Sequence, residues 1–248
     1  ALKAKWLGLD QLETWDRNAP LPEEKTDLIP WDRAKDIVLS AYADFAPDLA
    51  AQAAPFFDRG WINAAPREGK AGGAFSHPTV PSANPFILIN YMGRTRDVMT
   101  LAHELGHGVH QVLAADQGAL MAETPLTLAE TASVFGEMLT FKRLLSETTD
   151  AASRKAMLAS KVEDMINTCV RQIAFYTFER RLHVARRQGE LTSEDIGKIC
   201  YFDMLRAGGS RRHKELLAPF GLDASDSAFW NKGLGVIEGF IDELETLS

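Results

Sequence analysis

A chain of 248 residues with 46% hydrophobic and 25% charged residues has globular proportions, which exclude a disordered, collagenous or membrane-spanning chain. Its 27 Lys+Arg against 34 Asp+Glu leave a formal charge of −7, so no basic excess exists to displace counterions from nucleic-acid phosphates. Two cysteines, Cys169 and Cys200, are too few for a secreted disulfide scaffold and are expected as buried, reduced thiols of a cytoplasmic protein.

Residues 1–33 are polar and punctuated by Pro20, Pro22 and Pro30, which predicts a loop or extended arm. Ile37, Val38, Ala41, Phe45, Leu49 and Ala53 recur at helical spacing and predict one helix over 33–53. Glycines and prolines break any helix between 60 and 84. Residues 73–76 and 85–91 then read as two short paired strands, with Trp61 and Phe75 as core residues or substrate contacts. Everything after is expected to be helical. Thr95 is the candidate N-cap of a helix reaching 115, with Asp97 in its first turn where the dipole favours a carboxylate. Thr124 followed by Pro125 predicts a cap and first helical residue for a helix reaching 145. A long helix is expected over 150–188, stopped by Gly189, and another from Ser193. Gly208-Gly209 is read as a turn, and a last helix over 225–247 is expected to pack against Leu216, Leu217, Phe220 and Leu222. The expected fold class is mainly α with a small antiparallel sheet.

The helix over 95–115 carries His103-Glu104-Leu105-Gly106-His107. Histidines four residues apart project from one helical face and can share a tetrahedral Zn²⁺. Glu104 follows the first histidine and is placed to act on a water at the metal rather than as a ligand. By chance this pattern is expected only about 0.01 times in a chain of this composition. A catalytic zinc needs a third protein ligand. Ten residues beyond His103, where a metzincin has a third histidine, stands Leu113, which excludes that arrangement. His110 is a rival on nearly the same face, but three imidazoles on one straight helix do not converge on one ion, so it orients a neighbour or packs. Glu130, 23 residues past His107 and flanked by apolar and small residues, is the better candidate, its carboxylate expected inside the helix–helix interface. Glu123 and Glu137, seven residues to either side, are read either as acceptors for a ligand imidazole's second N–H or as solvated carboxylates.

Gly69-Lys70, Gly73-Ala74-Phe75-Ser76, Ile89-Asn90-Tyr91, Asp97-Val98, the stretch over 100–107 and Ala129-Glu130-Thr131-Ala132-Ser133 together resemble oligoendopeptidase F, in the thimet-oligopeptidase family of zinc peptidases. Phe178-Glu179, Gly189-Glu190-Leu191-Thr192 and residues 205–210 fit the same branch. The resemblance implies a zincin-like helical catalytic domain over 56–248, with 1–55 as an N-terminal arm and helix. It implies one Zn²⁺ per chain held by His103, His107 and Glu130, Glu104 as general base, and cleavage of short peptides. Two departures stand out. Members of the family are commonly more than twice as long. They also carry a His/Tyr-rich segment that stabilises the tetrahedral intermediate, and this chain shows no such stretch between Cys200 and Tyr201.

The expected activity is therefore metalloendopeptidase hydrolysis of short peptides through a zinc-bound water, with no nucleic-acid or membrane partner. Gly73, Ala74 and Phe75 are candidates to pair with an extended substrate, or else an ordinary glycine-rich turn before a strand. Two other readings remain at this point: a zinc-binding remnant with little catalysis, and a metallocarboxypeptidase. Arg171, Arg180, Arg181, Arg186 and Arg187 read as a solvated face of the long helix.

Overall fold

Ala46 adopts extended backbone (φ −157°, ψ 123°) directly before Pro47, whose ring disfavours helical geometry in the preceding residue. The single helix expected over 33–53 is for this reason two: α2 (Trp31–Phe45) and α3 (Pro47–Asp58). The computed structural model describes residues 2–13, 16, 19, 28–199 and 227–246. Its tertiary contacts divide the chain into two units, Lys25–Asp150 and Ala1–Glu24 with Ala151–Ser248.

In the first unit, α2 buries Ala34, Ile37, Val38, Ala41 and Tyr42, the one-sided stripe that its spacing predicts. A three-stranded sheet follows, built from β1 (Ile62–Asn63), β2 (Phe75–His77) and β3 (Phe86–Leu88) in the order β1-β3-β2. β2 and β3 form the expected antiparallel pair, with Ser76 opposite Ile87. β1 runs parallel to β3, so the sheet is mixed rather than purely antiparallel. The Lys70 ammonium donates to the carbonyls of Asn63, Ala65 and Ile89, and the Asn90 amide donates to those of Ala71 and Gly73. These bonds fix the glycine-rich loop ahead of β2. Phe75 is 47% exposed and is not a core residue, whereas Trp61 is half-buried edge-on to Phe56.

α4 (Thr95–Ala114) enters the unit behind the sheet. Its N-cap is Arg94, not Thr95, because the Asp97 carboxylate reaches back to accept from the backbone N–H groups of Met92 and Arg94. α5 (Leu126–Glu147) starts one residue later than expected. Pro125 is its N-cap, accepting from the N–H groups of Leu128 and Ala129. Glycines let α4 seat deeply: a Cβ on Gly106 would lie 2.5 Å from the Ala132 carbonyl oxygen, and one on Gly108 would lie 2.7 Å from the Phe56 ring. Tyr42, fully buried, donates to the Ala102 carbonyl at 2.8 Å, and burial holds its phenol far above the usual tyrosine range.

The other unit contains α1 (Leu2–Leu7), α6 (Ala151–Arg186), α7 (Ser193–Lys198) and α8 (Ser227–Thr246). α1 lies where a loop was expected. It is held by tertiary contacts: Ala4 is buried, Lys3 pairs with Glu163, and the Lys155 ammonium sits 4.8 Å from the Trp6 ring centre. α6 packs on α8, with an ion pair between Arg154 and Glu243. Cys169 is exposed, contrary to expectation, because α6 presents that side outward. Arg171, Arg186 and Arg187 are exposed as a solvated face requires. Cys200, Gly208-Gly209, Leu216, Leu217, Phe220 and Leu222 lie outside the described residues. No helix among the described residues is long and apolar enough to cross a membrane.

Candidate metal centre

His103 and His107 lie one turn apart on α4, with ring centres 5.0 Å apart and planes at 82°. The close approach at Gly106 brings in the first turns of α5 and with them Glu130. Glu130 Oε2 is 3.2 Å from His103 Nε2 and 3.5 Å from His107 Nε2. The three ligand-type atoms all fall within 4.8 Å of one another. A tetrahedral centre with bonds of about 2.0–2.1 Å separates neighbouring ligand atoms by about 3.3–3.4 Å. The donor set of two imidazoles and a carboxylate fits a zinc-type cation in chemistry, and Glu130 Oε2 stands near that separation from both histidines.

The groups around the triad hold it in that arrangement. His103 Nδ1 lies 3.2 Å from Glu137 Oε2, and the His107 ring has the Ala129 backbone carbonyl as its second partner. Ser133, fully buried, donates from Oγ to Glu130 Oε2 at 2.7 Å and turns that oxygen toward the histidines. Burial alone lowers the His103 pKa, but the Glu137 hydrogen bond and the charges of Glu104, Glu130 and Glu137 outweigh it and raise it above the ordinary value. His107 goes the other way, because burial and the neighbouring His103 exceed what Glu130 and Ala129 contribute. Glu104 is 6% exposed, and burial, helped by Glu130, lifts its carboxyl above the usual glutamate range despite His103 and the Ser76 backbone N–H.

Not every expectation survives this placement. The Glu130 side chain is 62% exposed, not enclosed in the helix–helix interface. The buried stripe of α5 runs through Ser133, Gly136, Thr140 and Leu144, and Glu130 continues it only at the end where cover by α4 gives way to solvent. Glu137 sits beside His103, but Glu123 precedes α5. It lines a cavity of about 660 Å³ with Arg59, Trp61, Val80 and Gln111, away from the two histidines. His110 is half-buried, and its Nδ1 meets no hydrogen-bond partner among the described residues. Gly73 and Ala74 lead into β2, which begins at Phe75, is an edge strand and lies against α4. Sequence reasoning missed Ser133, Ser76 and Gln111. Ser133 carried a signal, since i and i+3 are neighbours on a helix.

Residues 48–200 match the sequence profile of peptidase family M3, which is well over half the chain. The chain belongs to peptidase family M3. This M3 chain is similar to the oligopeptidase PepF of Bacillus subtilis, 28% identical over 205 residues that cover 82% of the chain and 30% of the relative. It is likewise similar to an oligoendopeptidase F homolog of Lactococcus lactis, 30% identical over 200 residues covering 80% and 33%. These relatives place it in the oligoendopeptidase F branch of family M3. Its fold matches a crystal structure assigned to a peptidase of Chlamydophila abortus with a TM-score of 0.72 at 23% identity, covering 100% of this chain and 52% of that one. The M3 chain thus spans about a third of the length of the curated relatives it matches.

Proposed function

We propose that this chain is the catalytic part of a zinc metalloendopeptidase that hydrolyses short peptides, with His103, His107 and Glu130 as metal ligands and Glu104 as general base. The observation that carries this reading is the placement of Glu130 Oε2 at 3.2 and 3.5 Å from the two Nε2 atoms, the separations of atoms sharing one tetrahedral ion. Zinc held there supplies Lewis acidity, polarising a carbonyl oxygen and lowering the pKa of water toward about 7. Glu104 accepts a proton from the water whose oxygen adds to the scissile carbonyl carbon, and returns it to the nitrogen as the C–N bond breaks. Ala74 stands two residues before Ser76 and so offers its backbone groups to the same edge of β2, where an extended peptide can pair. Action in the cytoplasm, expected from the sparse cysteines, is part of the proposal.

The test is hydrolysis of an internally quenched peptide of about ten residues before and after chelation. Activity is expected to vanish with the metal and to return on adding one equivalent of zinc per chain. Internal cleavage products support the endopeptidase reading, and release of single C-terminal residues replaces it with a carboxypeptidase. Removing the carboxylate behind His103 is expected to matter as well. In Glu137→Ala, zinc affinity by competition with a chromophoric chelator should fall about 10–100-fold. Unchanged affinity would show that Glu137 does not orient the ligand.

A further inference from the structure

The two bonds between Gln111 and Ser76 are not explained by metal binding or by the sheet. Gln111 lies on α4 seven residues after Glu104, two turns along the same face. Ser76 is the central residue of edge strand β2. Ser76 Oγ donates to Gln111 Oε1 at 2.8 Å, and Gln111 Nε2 donates to the Ser76 carbonyl at 3.2 Å. One amide thus engages both the side chain and the backbone of a single residue, a closed pair that fixes register as well as distance. The partners are 35 residues apart in sequence and both half-buried, so the pair ties the strand to the helix. The backbone N–H of the same Ser76 faces the Glu104 carboxylate.

We infer that Gln111 is a positioning residue: its paired hydrogen bonds to Ser76 lock β2 onto α4, aligning Glu104 and the free edge at Ala74 with each other. The inference rests on the general-base role proposed for Glu104 and extends it. Without Gln111 the Ser76 carbonyl loses its partner and the strand is free to slide or lift. The substrate edge and the base then no longer share one frame, and a misplacement near 1 Å in such a constellation costs about 10²-fold in rate.

The experiment takes Gln111→Leu, which keeps the bulk and removes both bonds, and Gln111→Glu, which keeps the acceptor for Ser76 Oγ alone. Amide hydrogen exchange of the peptide containing residues 73–80 and steady-state kinetics are read on the same zinc-loaded samples, with the unaltered chain and Glu104→Gln alongside. Exchange at β2 is expected to quicken at least tenfold in Gln111→Leu. With zinc content and melting temperature preserved, kcat should fall about 10–100-fold and KM should rise, with Gln111→Glu intermediate. Unchanged exchange overturns the inference whatever the activity. A loss of activity in proportion to lost zinc, at constant KM, overturns it too, since that is what a merely structural residue does. An unaltered chain that cleaves nothing removes the proposed function instead, and the exchange result alone then decides whether Gln111 holds the strand.

Discussion

Glu104→Gln is expected to lower kcat for a quenched ten-residue peptide by about 10²–10⁴-fold while zinc content stays at that of the unaltered chain. The two halves of that result come from separate facts. Glu104 is absent from the set of atoms that can converge on one ion, which is His103, His107 and Glu130, so its removal leaves the ligands in place. A glutamine fills the same volume in a site that is 6% exposed and can still accept from the Ser76 N–H, but it cannot take a proton from water. Zinc lost together with activity would make Glu104 part of the metal's support instead of the base. Zinc bound with both proteins inert would turn the reading toward a binding remnant.

The histidine pair was legible because its geometry is local: four residues in a helix fix a face and a separation whatever the rest of the chain does. Glu130 was legible as a candidate but for a partly wrong reason. Its apolar and small neighbours suggested a helix–helix interface, yet Leu128 among them is 55% exposed, and the carboxylate stands in the open. What brings it to the histidines is Gly106, where the missing side chain lets two backbones meet, and that consequence is invisible until the partner helix is known. The helix order and most boundaries followed from periodicity and caps. The break at Ala46 could have been drawn from Pro47 alone. β1 could not, because two residues carry no alternation and its parallel partner lies 25 positions away. Gln111 and Ser76 escaped for a related reason. Each is an ordinary polar residue until its partner, 35 positions distant, is placed beside it.

Gly106 therefore offers the harshest test of how the site is assembled. In Gly106→Ala the new Cβ would sit 2.5 Å from the Ala132 carbonyl oxygen and 2.8 Å from Ser133 Cα. These are backbone atoms of α5, which cannot rotate aside as a side chain would. Relief requires the two helices to separate locally by about 1 Å. Ala132 and Ser133 follow Glu130 by two and three residues, so the displacement passes directly to the carboxylate and to the Ser133 hydroxyl that orients it. Metal ligation tolerates distance errors of only about 0.2 Å. We expect about 1–3 kcal/mol of destabilisation by urea unfolding and at least a 10²-fold loss of activity, with weakened zinc binding. Gly239→Ala is the matched control. Gly239 lies within α8, with no atom of the described residues within 4 Å of where a Cβ would stand, and there the same change should stabilise the protein by about 0.5–1 kcal/mol through helix propensity. Equal and small effects at the two positions would mean that the helices have slack at Gly106, and the account of how Glu130 reaches the histidines would fall. A large loss at Gly106 beside a gain at Gly239 would show that a single missing methyl group sets the width of the metal centre.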